Sequence, residues 1–124
     1  GVQTCALPIF EDARTAARQF LEKHHPLPDA LVASSGLILL GLVEALRDAG
    51  IACPDTVALA GFDDMPWTRL LNPAITVIAQ PTYEIGRAAI ELLLARIHQP
   101  EQVVRRVMLR GELIVRDSSA ARQS

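Results

Sequence analysis

The sequence predicts an α/β domain, with a parallel sheet covered by helices. Helix-like and strand-like segments alternate along the chain, and the strand-like segments are short continuous apolar runs, which are typical of strands buried in a parallel sheet. The composition agrees, because 50% of the 124 residues are hydrophobic and only 21% are charged. That balance excludes a disordered tail or a low-complexity linker.

The first half of the chain predicts two helices and two strands. From Glu11, apolar residues recur at helical spacing until the prolines after His25, which cannot continue a helix. Residues 30–33 are a short apolar run, interpreted as a buried strand. Residues 37–49 form the second helix, which Gly50 ends, and residues 57–60 form the second strand.

The second half begins with an irregular loop over residues 65–74. Residues 75–79 follow as a third strand rich in β-branched side chains. We expect Thr82 to cap a third helix that runs to about Gln99. Two strand-like pieces, residues 106–109 and 112–115, precede a polar tail.

Composition and charge exclude several classes of protein. The longest uncharged run, residues 30–43, has 14 residues, whereas a membrane-spanning helix needs roughly 20. The net charge is −2 and the basic residues are scattered, which argues against DNA binding by this segment alone. Cys5 and Cys53 supply neither a disulfide framework nor a zinc pattern, and the amino terminus lacks a secretory signal pattern. We expect a cytoplasmic domain without metal or cofactor.

Asp63 and Asp64 are the sharpest chemical signal, because they follow an apolar strand at the edge where open α/β folds bind ligands. One interpretation is a magnesium site of the Walker-B kind. The phosphate-binding loop that accompanies such a site does not occur anywhere in the sequence. In a structural interpretation, one carboxylate caps the following turn, and for Asp64 this is the preferred interpretation. A third interpretation has a carboxylate accepting hydrogen bonds from ligand hydroxyls.

The other candidates for chemistry are weak. His24 and His25 adjoin prolines without a third ligand at metal spacing, Cys53 has no neighbouring activator, and the pair Arg105–Arg106 flanks a strand. No nucleophile elbow and no glycine-rich nucleotide loop occurs. We therefore predict that the chain is not an enzyme.

Two motifs in order carry a family resemblance: Gly-Phe-Asp-Asp at 61–64 and Pro-Ala-Ile-Thr-Val-Ile-Ala-Gln-Pro at 73–81. With residues 30–35, 41–51 and 54–60, they resemble the C-terminal part of LacI/GalR (lactose-repressor/galactose-repressor) regulators, over roughly residues 11–118. The resemblance implies a periplasmic-binding-protein-like type I fold, truncated to mainly its C-terminal lobe. It also implies a sugar or sugar-acid effector, and operator DNA bound only through an N-terminal helix-turn-helix missing here.

The resemblance also implies site residues. Asp63 would accept hydrogen bonds from effector hydroxyls, and Gln80 would reach the same cleft. The family often has Asn-Asp where this chain has Ser35-Gly36, so Ser35 is either a residual ligand contact or the cap of the next helix. Trp67 would lie over a sugar face, or else cover the loop's own core or lie at a subunit contact.

The helix over residues 37–49 is apolar on more than one face, and such a helix should pack against other elements on two faces. The resemblance implies a homodimer interface on this helix, with Leu37, Leu40 and Val43 as the candidate contacts. The alternative is burial under another element of the same chain.

The domain boundaries follow from these assignments. Residues 1–9 are interpreted as a non-native, adapter-derived segment, residues 10–118 as a partial effector-binding domain, and residues 119–124 as a polar tail. With most of the N-terminal lobe missing, the strand at 75–79 and the helix from Thr82 should expose apolar surface, which predicts marginal stability. The alternative function is a periplasmic sugar-binding protein of a transport system.

Overall fold

The computed structural model describes residues 10–120, so the predicted segment 1–9 and most of the predicted tail lie outside the described residues. Helices and strands follow the predicted order from the first helix to the third. The elements are α1 (Phe10–Lys23), β1 (Ala30–Val32), α2 (Gly36–Asp48), β2 (Ala58–Phe62), a 3₁₀ helix (Pro66–Arg69), β3 (Thr76–Ala79), α3 (Thr82–His98), β4 (Glu112–Ile114) and a second 3₁₀ helix (Asp117–Ser119).

The four strands form one sheet in the order β1-β2-β3-β4. The first three are parallel, whereas β4 runs antiparallel to β3. The predicted parallel sheet is therefore confirmed for β1 to β3, and β4 adds an antiparallel strand at one edge. Glu112 at the start of β4 pairs with Ala79 at the carboxyl end of β3, so α3 and residues 99–111 together return the chain to the same end of the sheet.

The core lies between the sheet and α2. Leu39 is fully buried, and a Cβ on Gly61 of β2 would lie only 2.7 Å from its Cδ2 atom. On its other side α2 meets α1, where a Cβ on Gly41 would be 2.7 Å from the backbone nitrogen of Arg14. These two glycines let α2 approach a strand and a second helix closely, so that α2 packs on two sides and buries Leu39, Leu42, Ala45 and Leu46.

Three local predictions were wrong. Residues 106–109 form no strand and are exposed along their length. Residues 30–33 were expected to be buried, but only Ala33 is; β1 is an edge strand and Val32 is 71% exposed. Thr82 is the first residue of α3 rather than its cap; Pro81 occupies the cap position and makes no side-chain capping bond.

The strand β3 and the helix α3 differ in burial. Thr76 and Val77 are buried where β3 lies between β2 and β4 in the sheet, so the expected exposure was wrong for this part of the strand, whereas Ile78 and Ala79 are only half-buried. None of the residues of α3 is buried, which confirms the expectation for the helix. Within residues 10–120, no helix has both the length and the apolar character needed to cross a membrane.

Candidate functional site

Asp63 and Gln80 lie together at the carboxyl edge of the sheet, as their positions after β2 and β3 predict. The Gln80 amide nitrogen Nε2 donates to Asp63 Oδ1 at 2.6 Å. The backbone N–H of Gly36 donates to Asp63 Oδ2 at 3.2 Å. The carboxylate of Asp63 is therefore fixed by one donor on each oxygen, between α2 and the end of β3.

The backbone at Asp63 turns sharply. Its φ of 73° lies in the left-handed region, which aspartate and asparagine tolerate better than most residues other than glycine. The Asp63 N–H donates to Ile78 O at 3.0 Å, and its carbonyl accepts from Met65 N at 2.9 Å. The turn thus leaves the sheet immediately after β2 and holds the half-buried Asp63 side chain at the edge.

Ser35 caps α2. Its side-chain oxygen accepts a hydrogen bond from Ile38 N at 3.4 Å, satisfying one of the unpaired donors at the helix start. The capping interpretation is therefore confirmed. A ligand contact by Ser35 stays a prediction.

Asp64 has a structural role and does not share the site. Its Oδ1 accepts from Arg116 Nη2 at 2.7 Å and from the Thr68 hydroxyl at 3.0 Å. The hydrogen bond from Arg116 holds the pKa of this carboxyl below its ordinary value. Arg116 also donates to Ile75 O at 2.9 Å, so the pair ties the loop after β2 to the carboxyl-terminal segment.

Trp67 lies in the first 3₁₀ helix, half-buried and packed against the hydrophobic core. This position matches the interpretation in which the indole covers the loop's own core. A contact between Trp67 and a ligand stays a prediction.

The residues assigned to a dimer interface differ in exposure along α2. Leu37 is 56% exposed, and Leu40 is half-buried. Val43 is half-buried and packs against the core of its own chain. The covering of one α2 face by α1 accounts for part of the helix's apolar surface, and a dimer contact by Leu37, Leu40 and Val43 stays a prediction.

The weaker candidates for chemistry, among them His24, Cys53 and Arg105, lie in surroundings that fit structural or surface positions. The His24 ring stacks on Phe20, with 4.1 Å between ring centroids. Burial raises the pKa of the Cys53 thiol, which makes it a poor nucleophile. Arg105 is exposed. Across the described part of the chain, no three His, Cys, Asp or Glu residues are grouped so that they could hold a metal ion.

The site is suited to binding hydroxyl groups. An ionised carboxylate has about four acceptor positions, and within residues 10–120 the side-chain oxygens of Asp63 accept from Gly36 and Gln80 only. The remaining acceptor positions of Asp63 can take O–H donors from a ligand, and Gln80 is exposed beside it. Sequence reasoning missed the Gly36 N–H, although a capping serine directly after a strand indicates a helix start at this edge.

The comparisons with known proteins agree with this geometry. Residues 2–119 match the family model described as the periplasmic binding protein-like domain. The chain is 41% identical over 109 residues to the HTH-type transcriptional regulator PtxS of Pseudomonas aeruginosa, and 33% identical over 108 residues to the regulator KdgR of Bacillus subtilis. These alignments cover 88% and 87% of the chain but 32% of each relative. The chain thus spans about a third of the length of these curated relatives.

Solved structures show the same likeness. A LacI-family transcriptional regulator from Arthrobacter sp. FB24, in complex with lactose, superposes with a TM-score of 0.72 at 33% identity, over 90% of this chain and 41% of that chain. The complex of the transcriptional regulator CelR with cellobiose gives 0.78 at 33% identity, over 89% and 33%. The chain therefore belongs to the periplasmic binding protein-like domain family, and the relatives and solved structures named here to which it is similar are transcriptional regulators.

Proposed function

We propose that the chain is the effector-sensing and dimerisation part of a cytoplasmic LacI-type transcriptional regulator, and that it binds a small sugar or sugar acid without transforming it. The observation that carries the proposal is the Asp63 carboxylate, held at the sheet edge by Gly36 N–H and Gln80. Two relatives of known structure contain lactose and cellobiose, which supports a carbohydrate ligand. A ligand that binds two lobe arrangements unequally would shift operator affinity.

The substitution Asp63→Asn tests the ligand site. Asparagine keeps the shape and tolerates the left-handed backbone, but it loses the charge that strengthens hydrogen bonds from hydroxyls. We expect sugar affinity to fall roughly 10- to 100-fold, because a hydrogen bond to a charged group contributes about 1.5–3 kcal/mol. Isothermal titration calorimetry of the full natural protein measures this change.

Asp55→Asn is the matched control, since Asp55 is exposed in the loop before β2. This variant should bind sugar as the parent does. Equal affinities for the parent protein and Asp63→Asn would contradict the assignment of Asp63 as a ligand residue.

The genomic sequence upstream of the codon for Phe10 tests whether the whole protein is a DNA-binding regulator. An in-frame helix-turn-helix segment there supports operator binding by the whole protein. A secretory signal followed by the other lobe would instead support a receptor of a transport system. The curated relatives PtxS and KdgR are transcriptional regulators, which favours the first outcome.

We infer that α2 contributes to a homodimer. Leu37 is 56% exposed and Leu40 is half-buried, and the two apolar residues are one helical turn apart. The double substitution Leu37→Asp with Leu40→Asp should convert the dimer to monomer, because charges would be buried at the interface. Analytical ultracentrifugation of the full natural protein measures the mass, with Ala52→Asp, at an exposed position before β2, as the control. An unchanged mass for the double variant would contradict this interface.

A further inference from the structure

Asp63 and Asp64 are neighbours in the chain, but their carboxylates have separate partners. The Asp63 carboxylate accepts from the Gly36 N–H and from the Gln80 amide at the carboxyl edge of the sheet. The Asp64 carboxylate accepts from Arg116 Nη2 at 2.7 Å. Because one peptide bond joins the two aspartates, a contact that fixes the Asp64 side chain also restricts the backbone from which the Asp63 carboxylate projects.

Arg116 holds the turn after Asp63 at two points. Its Nη2 atom donates to Asp64 Oδ1, and its Nη1 atom donates to the Thr68 hydroxyl oxygen at 3.0 Å. The Thr68 hydroxyl lies 2.7 Å from the carbonyl oxygen of Met65. The N–H of Met65 donates to Asp63 O at 2.9 Å, so the guanidinium contacts residues on both sides of this turn.

Arg116 is itself anchored to the sheet. Its backbone N–H donates to the Thr76 hydroxyl at 2.8 Å, and its Nη1 atom donates to Ile75 O at 2.9 Å. The side chains of Arg116 and Asp64 are only 14% and 22% exposed, and Thr68 is fully buried. Hydrogen bonds of a charged pair are stronger in such surroundings than at the surface, so this contact is able to restrain the turn.

The backbone of Asp63 depends on restraint from its surroundings. Its φ of 73° lies in the left-handed region, where residues other than glycine are held by the structure around them. The hydrogen bond from the Asp63 N–H to Ile78 O fixes the residue on the side of β3. The contacts of Arg116 with Asp64 and Thr68 fix the following side. A change in the backbone angles of Asp63 would move its carboxylate away from its partners at the sheet edge.

We propose that Arg116 is a positioning residue of the ligand site, which orients the Asp63 carboxylate by holding Asp64 and Thr68. This inference rests on the proposed function and deepens it, because it makes ligand affinity depend on the carboxyl-terminal segment. Without the guanidinium, the turn at Asp63 would adopt other conformations in the free protein. A ligand would then have to fix the turn as it binds, which lowers its affinity.

A double-mutant cycle between Arg116 and Asp63 tests the proposal. Calorimetry measures sugar binding by the full natural protein, Arg116→Gln, Asp63→Asn and the double variant, each shown to be folded by circular dichroism. The probes are lactose, cellobiose, D-ribose, D-glucose and D-gluconate, and the one that the natural protein binds most tightly is used throughout. Arg116→Gln should weaken binding about 10-fold in the natural background but less than about 3-fold in Asp63→Asn, because residues coupled through a shared backbone have non-additive effects.

Two further variants separate positioning from loss of stability. Arg116→Lys keeps the charge but lacks the planar fork that holds two acceptors at once, so it should recover part of the affinity lost in Arg116→Gln. It also replaces Arg116→Gln in the cycle if that variant does not fold. Ser118→Ala is the matched control, because Ser118 anchors the same segment through Leu59 O and Thr76 N. This variant should be less stable but should bind sugar as the natural protein does.

The outcomes distinguish this role from the proposed function. An unchanged affinity in Arg116→Gln, or equal losses in the two backgrounds, would overturn the role of Arg116, while the proposed function would stand as long as Asp63→Asn weakens binding. A loss in Ser118→Ala as large as that in Arg116→Gln would also overturn it, since any loosening of the segment would then suffice. If Asp63→Asn binds as the natural protein does, or if none of the five probes binds, the proposed function is overturned and the role of Arg116 with it.

Discussion

The helices α2 and α3 are both rich in leucine and isoleucine, but they differ in how many of their residues are buried. Five residues of α2 are buried, between α1 and the sheet. No residue of α3 is buried, and Ile90, Leu93 and Ile97 are each about 60% exposed. The comparison teaches that an apolar helical pattern predicts a surface that can be covered, whereas the covering element is determined by the rest of the chain.

The largest expected effect concerns a buried leucine of α2. Leu39→Ala should lower the free energy of unfolding by roughly 2–5 kcal/mol, because it leaves a cavity against β2. Leu93→Ala makes the same chemical change in α3 and should cost less than about 0.5 kcal/mol. Urea denaturation of the two variants measures both values, and similar losses would show that α3 is packed in solution. Should Leu39→Ala not fold, Leu39→Val provides a smaller cavity.

A second pair of substitutions should differ in sign. Gly41→Ala on α2 places a methyl group 2.7 Å from the Arg14 backbone nitrogen, and overpacking of this kind costs about 1–3 kcal/mol. Gly86→Ala on α3 meets nothing within 4 Å and should stabilise by roughly 0.5–1 kcal/mol, because alanine favours the helix. Thermal unfolding followed by circular dichroism measures the two shifts. A loss of stability in Gly86→Ala would indicate that another element covers this face.

The last comparison concerns the contributions of two ion pairs to the free energy of unfolding. Asp64 and Arg116 are 22% and 14% exposed, whereas Arg87 and Glu91 on α3 are 58% and 62% exposed. Asp64→Asn should cost roughly 1–3 kcal/mol at neutral pH, because Arg116 loses its charged partner in a partly buried site. Glu91→Gln should cost less than about 0.5 kcal/mol. Chemical denaturation at neutral pH compares the two variants.

The pH dependence gives the Asp64 prediction a second readout. The pKa of Asp64 is lowered in the folded state by Arg116, so its contribution is complete above the ordinary carboxyl pKa of about 4. It is lost as the pH falls through the lower, folded-state value. The stability difference between the parent and Asp64→Asn should therefore shrink on acidification below about pH 4. A difference that is constant between neutral pH and pH 3 would contradict this linkage.

Much of the fold could be predicted because it depends on local patterns. The order of helices and strands follows from apolar spacing, prolines and Gly50, and the proximity of Asp63 to Gln80 follows from the shared edge of parallel strands. The direction of β4 could not be predicted, since it depends on whether α3 packs back on the sheet.

The candidate site was predictable only in part. The partner of Asp64 lies 52 residues away, at Arg116, and no local pattern links the two positions. Nor does the sequence show that Met65 lies beside Gly36, because the sharp turn at Asp63 brings them together.

The buried Ser118 has a consequence for biosynthesis. Its hydroxyl donates to Leu59 O at 2.6 Å and accepts from Thr76 N at 2.8 Å, so it satisfies polar groups at the centre of the sheet. Domains generally fold as units during synthesis, and these two groups lack their partner until residue 118 has left the exit tunnel. A nascent chain that ends before Ser118 would therefore leave Leu59 O and Thr76 N without this hydroxyl.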